Sequence, residues 1–211
     1  YTKLHPFVVL LGKGDHQITS TWIDPEDSDD EDSGQAATLG VTCSNVTFVG
    51  KGKDTTTILG GFCIDNIENI TFKNMTVTNT SEDGEGIYMK NTKVELIDVA
   101  LKGCRRHALK IGYRFDNSET SVVATRCEFA NSMYGALVEG SLTSATFNNC
   151  VFHDNTNVGI WGNDEATIRL HGEATAVHSN GDDGIFAMGS GKVLIHLPSH
   201  HNTSYNNGGQ D

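Results

Sequence analysis

Asp182 and Asp183, with His178 a few residues before them, are the residues of this chain best suited to acid–base chemistry. Cleaving a glycosidic bond needs two carboxyls about 5–9 Å apart across it, with their proton affinities pushed apart. Asp164 and Glu165 are the nearest further acids that could serve as partners. All four fall in turn-like sequence, where solvated carboxylates are ordinary, so catalysis is the second reading of these residues and not the first.

Histidines and cysteines lead to no firmer chemistry. His153 and His178 lie 25 residues apart, as do His171 and His196. Each pair offers two imidazoles, but no third ligand stands at a metal-site spacing, so neither a metal nor another cofactor is expected. The five cysteines, Cys43, Cys63, Cys104, Cys127 and Cys150, form no C-x-x-C pair. Cys127 and Cys150 each precede a phenylalanine, Phe129 and Phe152, by two residues, which reads as core filling with a disulfide left open. The acidic run Asp24–Asp32 fails as a calcium hand. Counted from Asp29, position 12 is Gly40, where a bidentate Glu is required.

These residues must be positioned by a repeat. A small residue followed by apolar-x-apolar recurs at Gly86-Ile87-Tyr88-Met89, His107-Ala108-Leu109-Lys110, Gly135-Ala136-Leu137-Val138, Gly159-Ile160-Trp161-Gly162 and Gly184-Ile185-Phe186-Ala187. Those copies are 21, 28, 24 and 25 residues apart. A second row (Ile70, Val94, Val122, Ala145, Ile168, Val193) is spaced 24, 28, 23, 23 and 25. A third (Val77, Leu101, Phe129, Phe152, Val177) is spaced 24, 28, 23 and 25. Most copies show the period of two that marks a strand with one buried face. Rungs of this length without a helical period predict an all-β, right-handed parallel β-helix of about six or seven rungs. The domain expectation is one solenoid over residues 1–211, with a cap and acidic loop in 1–42 and rungs in 43–211. The last rung, from Ser204, reads as incomplete, which suggests that the chain is part of a longer protein or of an assembly. Asn131, Asn155 and Asn180, each four residues before a repeat glycine, are candidates for a stacked Asn ladder.

If Ile87 and its equivalents point inward, alternation sends Tyr88, Leu109, Leu137, Trp161 and Phe186 outward. An exposed apolar row on a flat sheet is a platform for sugar rings or for a partner protein. Composition narrows the partners. The net charge of −12, with no Lys/Arg cluster on one face, argues against nucleic acid. The early apolar run Phe7–Leu11 is too short to span a bilayer. Sequons at Asn45, Asn69, Asn74, Asn79 and Asn202 tilt the expectation toward a secreted, cell-surface or virion location.

The stretch from Val46 to Gly61, with Gly50-Lys51-Gly52 and Gly60-Gly61, resembles the first-rung signature of pectin-lyase-like β-helix proteins. Val8-Val9-Leu10-Leu11-Gly12-Lys13-Gly14 resembles the opening strand of that superfamily. The likeness is greatest to the β-helix repeat proteins of algae, other microbial eukaryotes and their viruses. It implies a fold that carries lyases, hydrolases, esterases, epimerases and non-catalytic spacers alike. The lyase calcium set, the esterase Asp and Arg motifs, the full polygalacturonase set and the epimerase Asp-Pro-His are all missing here. The sequence therefore favours a non-catalytic binding or structural module that presents its aromatic-bearing sheet to glycans or proteins. A polysaccharide-modifying enzyme using Asp182, Asp183 and His178 is the alternative.

Overall fold

The computed structural model describes residues 1–22, 36–112, 118–196 and 203–210. The acidic run and the sequon at Asn202 lie outside the described residues. Strands follow one another around a right-handed coil. The first turns are built from β1 (Phe7–Leu10), β2 (Gly14–Gln17), β3 (Thr38–Val41), β4 (Val46–Val49), β5 (Thr56–Leu59) and β6 (Gly61–Asp65). The middle holds β7 (Glu68–Thr78), β8 (Ile87–Lys90), β9 (Lys93–Lys102), β10 (His107–Ile111), β11 (Thr120–Thr125), β12 (Glu128–Ala130) and β13 (Tyr134–Glu139). The last turns are β14 (Thr143–Asn148), β15 (Val151–His153), β16 (Ile160–Asn163), β17 (Thr167–His171), β18 (Ala176–His178), β19 (Ile185–Ala187), β20 (Lys192–His196) and β21 (Ser204–Tyr205).

All pairing between these strands is parallel and falls into two sheets. A bent 14-stranded sheet contributes two sides of the coil, and a seven-stranded sheet, β3-β6-β8-β10-β13-β16-β19, forms the third. Two of the expected rows appear in register: Ile70↔Val94↔Val122↔Ala145↔Ile168↔Val193, and Val77↔Leu101↔Phe129↔Phe152↔Val177. Along β14, Thr143, Ala145 and Phe147 are buried while Ser144, Thr146 and Asn148 are half-buried, the alternation of a strand with one face in the core. Inside, like rings stack from rung to rung. Phe48 lies on Phe72 at 5.0 Å, and Phe129 on Phe152 at 4.6 Å.

The bends explain the wealth of Asn. Asn74, Asp98, Arg126 and Asn149 take left-handed backbone angles at one corner of successive rungs, and Asn131, Asp154, Ser179 and Asn206 do so at the next. Asn and Asp enter that region at lower cost than other non-glycine residues. At the third corner the chain passes so close to its neighbour that a Cβ on Gly86 would lie 2.4 Å from the Ala108 carbonyl oxygen. That approach is what the repeated small residue permits.

Two expectations need correction. The second copy of the small-apolar-x-apolar repeat was placed one residue early: Leu109, not Ala108, pairs with Ile87 and Ala136. Ala108 is the small residue and Lys110 the outward one, so Leu109 points into the core with no exposed surface. The Asn ladder runs Ser132, Asn155, Asn180, Asn207, the side-chain oxygens of the three Asn each accepting the backbone amide of the ladder residue one rung before, at 3.0–3.2 Å. Asn131 is instead a left-handed turn residue beside it. Within the residues expected as a cap, the first strands already join the coil. β1 pairs with β4, β2 with β5 and β3 with β6.

Candidate functional site

The outer face of the seven-stranded sheet carries the row Cys63, Tyr88, Lys110, Leu137, Trp161 and Phe186. Its two ends differ. At the early end Tyr88 is only 5% exposed. Trp22 meets its ring edge-on at 6.4 Å, and the Lys110 ammonium stands 4.8 Å from its ring centre. Leu137 is likewise buried, whereas Trp161 is half-buried and Phe186 is exposed. The five-residue platform expected from the sequence therefore shrinks to its last two members, because Leu109 faces inward and Tyr88 and Leu137 are covered.

A neighbouring row compensates for that loss. It holds the residue immediately before each small one: Glu85, His107, Tyr134, Val158 and Asp183. His107 pairs with Tyr134 in register, and their rings stack at 5.0 Å. Tyr134 in turn lies 5.6 Å from Trp161, which lies 5.9 Å from Phe186. The rings form a ribbon across four rungs. Where it emerges from cover, Tyr134, Asn157, Val158, Trp161, Asp182, Asp183 and Phe186 line an open groove of about 190 Å³.

The groove is polar at its edges. Asn157 donates its side-chain amide to the Tyr134 hydroxyl at 3.2 Å, fixing the phenol. Among the described residues the buried Trp161 Nε1–H meets no hydrogen-bond acceptor. Asp183 Oδ1 accepts the Gln210 backbone amide at 2.6 Å, so this oxygen is already engaged, while Asp182 is exposed. The structure thus brings together Trp161, Phe186, Asp182 and Asp183, residues that the sequence divided between two competing readings.

His178 is not with them. It sits on β18 in the other sheet, stacked between His153 at 5.3 Å and Tyr205 at 4.9 Å. Burial, and then the neighbouring His153, push its basicity below the usual imidazole range. The expected catalytic trio is therefore split, because β18 and β19 belong to different sides of the coil. The second histidine pair, His171 and His196, stacks at 4.6 Å on the same outer sheet as His178. Among the described residues no group of three or more His, Cys, Asp or Glu is placed to hold a metal ion.

Sequence reasoning also passed over the covered end of the ribbon. Glu85 Oε1 lies 3.1 Å from His107 Nδ1 and 3.8 Å from Lys110 Nζ, while Oε2 is buried with no hydrogen-bond partner among the described residues. Burial pushes the His107 imidazole down more strongly than Glu85 pulls it up. Next to this group Lys90 pairs with Asp65 at 3.6 Å. The signal was present in the sequence. Tyr134, Glu85 and His107 all occupy the position before the small residue, and Lys110 fills the outward position once the register is right. With side chains only 2–4% exposed, Glu85 and His107 pair within the sheet and do not meet solvent.

Residues 60–210 match the family model described as "right handed beta helix region". The chain belongs to that family. No curated protein matches the β-helix by sequence. Similar solved structures include a pectin methylesterase from Erwinia chrysanthemi, 14% identical with a TM-score of 0.49 over 84% of this chain and 61% of that one. The A-module of a mannuronan C-5 epimerase from Azotobacter vinelandii is 14% identical, TM-score 0.47, covering 97% and 64%. An open-reading-frame product of Geobacillus virus E2 is 14% identical, TM-score 0.44, covering 97% and 53%. The β-helix thus spans less than two thirds of the length of each. A shared scaffold at this distance carries no activity with it. No helix among the described residues is long and apolar enough to cross a membrane.

Proposed function

We propose that this β-helix is a non-catalytic binding module that takes a saccharide into the groove lined by Tyr134, Trp161 and Phe186. One observation carries the reading: the exposed end of a four-rung ring ribbon opens beside the polar side chains of Asn157, Asp182 and Asp183. Sugar rings present C–H faces that pack on aromatic rings and hydroxyls at their rims that hydrogen-bond to amides and carboxylates. The groove offers both kinds of partner.

The alternative, a polysaccharide-modifying enzyme, has less support. Asp182 and Asp183 are consecutive residues on one turn, one of them already engaged by a backbone amide, and His178 lies on another sheet. A pair working across a glycosidic bond would need separate positions on either side of it.

A glycan-array screen of the wild type against Trp161→Ala, with and without calcium, tests the proposal. Saccharide binding that disappears in the variant supports the groove as the recognition site. Binding that is indifferent to Trp161, or product formation from a bound glycan, would remove this reading.

A further inference from the structure

Inside the solenoid two thiols occupy the same corner of consecutive rungs. Cys127 follows Arg126 (φ 55°) and Cys150 follows Asn149 (φ 54°), both left-handed residues. Val151 donates its amide to the Cys127 carbonyl at 3.0 Å, and the next residues, Glu128 and Val151, are in register. Residues so aligned on neighbouring strands have Cα atoms about 4.8 Å apart. That lies within the range of about 4.4–6.8 Å bridged by disulfides.

The side chains converge as well. Cys127 Sγ reaches the Thr125 carbonyl at 3.4 Å, and Cys150 Sγ reaches back across the rung to the Ala124 carbonyl at 3.4 Å. Ala124 and Thr125 are adjacent on β11, so both sulfurs gather over one stretch of backbone. Among the described residues no other two cysteines are aligned in this way. Cys63 is in register with Tyr88, the Cys104 amide donates to Ser132 Oγ, and Cys43 is exposed.

We infer that Cys127 and Cys150 are an oxidation site, closed by a hydroperoxide into a disulfide that ties two rungs of the solenoid. The roles of the two thiols differ. The S–H of Cys150 and, more distantly, the Lys53 ammonium favour the Cys127 thiolate, whereas burial holds Cys150 protonated. Cys127, the less enclosed of the two at 2% exposed against 0%, is the attacking thiol once the corner opens. Its thiolate attacks the peroxide, breaking the O–O bond, and becomes a sulfenic acid as the alcohol or water leaves. The Cys150 sulfur then attacks Sγ of Cys127, losing its proton and expelling the hydroxyl as water. In sum, two thiols and one hydroperoxide give one disulfide, one alcohol and one water.

The test is peptide mapping by mass spectrometry of the reduced full chain after treatment with hydrogen peroxide. Because Cys127 is 2% exposed and Cys150 fully enclosed, a second sample is refolded from denaturant with the same oxidant present. The expected result, by either route, is a loss of two hydrogens and a linked peptide joining Cys127 to Cys150, absent in Cys150→Ser. The unfolding midpoint of the linked chain should rise by about 5–10 °C over the reduced chain. If neither route links the two, or if linkage involving Cys63 or Cys104 is as abundant, the inference is overturned.

Discussion

The Tyr134 ring lies 5.6 Å from the Trp161 ring on the adjacent rung, tilted by 46°, and its hydroxyl is held by the Asn157 amide. The two rings are thus fixed by the register of β13 and β16 before any ligand arrives. Such preorganisation reduces the ordering cost of binding.

That relationship separates the ring of Tyr134 from its hydroxyl. Tyr134→Ala should weaken saccharide binding by about 30-fold or more, the loss of about 2 kcal/mol that marks an anchoring aromatic. Tyr134→Phe keeps the stacking and leaves only Asn157 without its acceptor, so binding should fall by about tenfold or less. Calorimetric titration of the glycan chosen by the array would measure both. Equal losses in the two variants would mean that the hydroxyl, not the ring platform, carries recognition.

Acid should weaken the fold in two windows. His107 and His178 are both held below the ordinary imidazole value of 6.5, chiefly by burial. A folded-state value lower than the unfolded one means that stability is complete above about pH 6.5 and is lost as pH falls through the folded value. Asp98 behaves likewise around its ordinary value of 3.8, because Arg126 grips it with hydrogen bonds of 2.8 and 2.6 Å. Urea melts from pH 8 to 3 should show a first decline beginning near pH 6.5 and a second below about pH 4. Glu85→Gln removes a group that raises His107, so the first decline should steepen. A flat profile between pH 7 and 5 would contradict the account of both histidines.

How legible this was in the sequence can be argued residue by residue. Rows two and three could be read because each of their strands buries one face, which leaves an alternation that survives variation in rung length. The row with Tyr88 was harder. His107 stands where the repeat spacing puts the small residue, though Ala108 fits the close approach at that corner, and a slip by one residue exchanges the inward Leu109 for the outward Lys110. Tyr134 and Glu85 escaped notice because they stand just outside the repeat pattern. The burial of Tyr88 could not be read at all, since its ring meets Trp22, a residue remote in sequence. The groove beside Asp182 likewise arises from two rungs meeting, not from any local motif.

Core stacking sets the stability of the middle rungs. Phe152 has no exposed surface and touches Phe129 at 4.6 Å in parallel and Phe147 at 4.9 Å edge-on. Phe152→Ala would leave a cavity bounded by rungs above and below that cannot collapse without breaking register. The expected cost is about 3–5 kcal/mol. Phe152→Leu, which keeps most of the volume, should cost clearly less. Equilibrium denaturation of the two variants decides the point, and equal costs would mean that ring stacking matters more than filled volume.

The Asn ladder tests whether the turns are as important as the core. Asn180 accepts from the Asn155 amide and side chain at 3.2 and 2.9 Å, and its own side chain donates to the Phe152 carbonyl at 3.3 Å and to Asn207 at 2.9 Å. Only 2% of its surface is exposed. Asn180→Ala leaves the buried amide of Asn155 and the carbonyl of Phe152 without those partners, with no water-accessible route to replace them. Each orphaned group costs about 1–3 kcal/mol. Asn180→Asp should be nearly as harmful, because a carboxylate can accept from Asn155 but cannot donate to Phe152 or Asn207. Ser132 already serves at the equivalent place one rung beyond Asn155, so Asn180→Ser should recover part of the loss. Hydrogen exchange at the Asn155 amide reports the local effect. Faster exchange in Asn180→Ala and Asn180→Asp, partly restored in Asn180→Ser, is expected. Unchanged protection in all three would mean that the backbone pairing of the rungs holds this corner without the side-chain ladder.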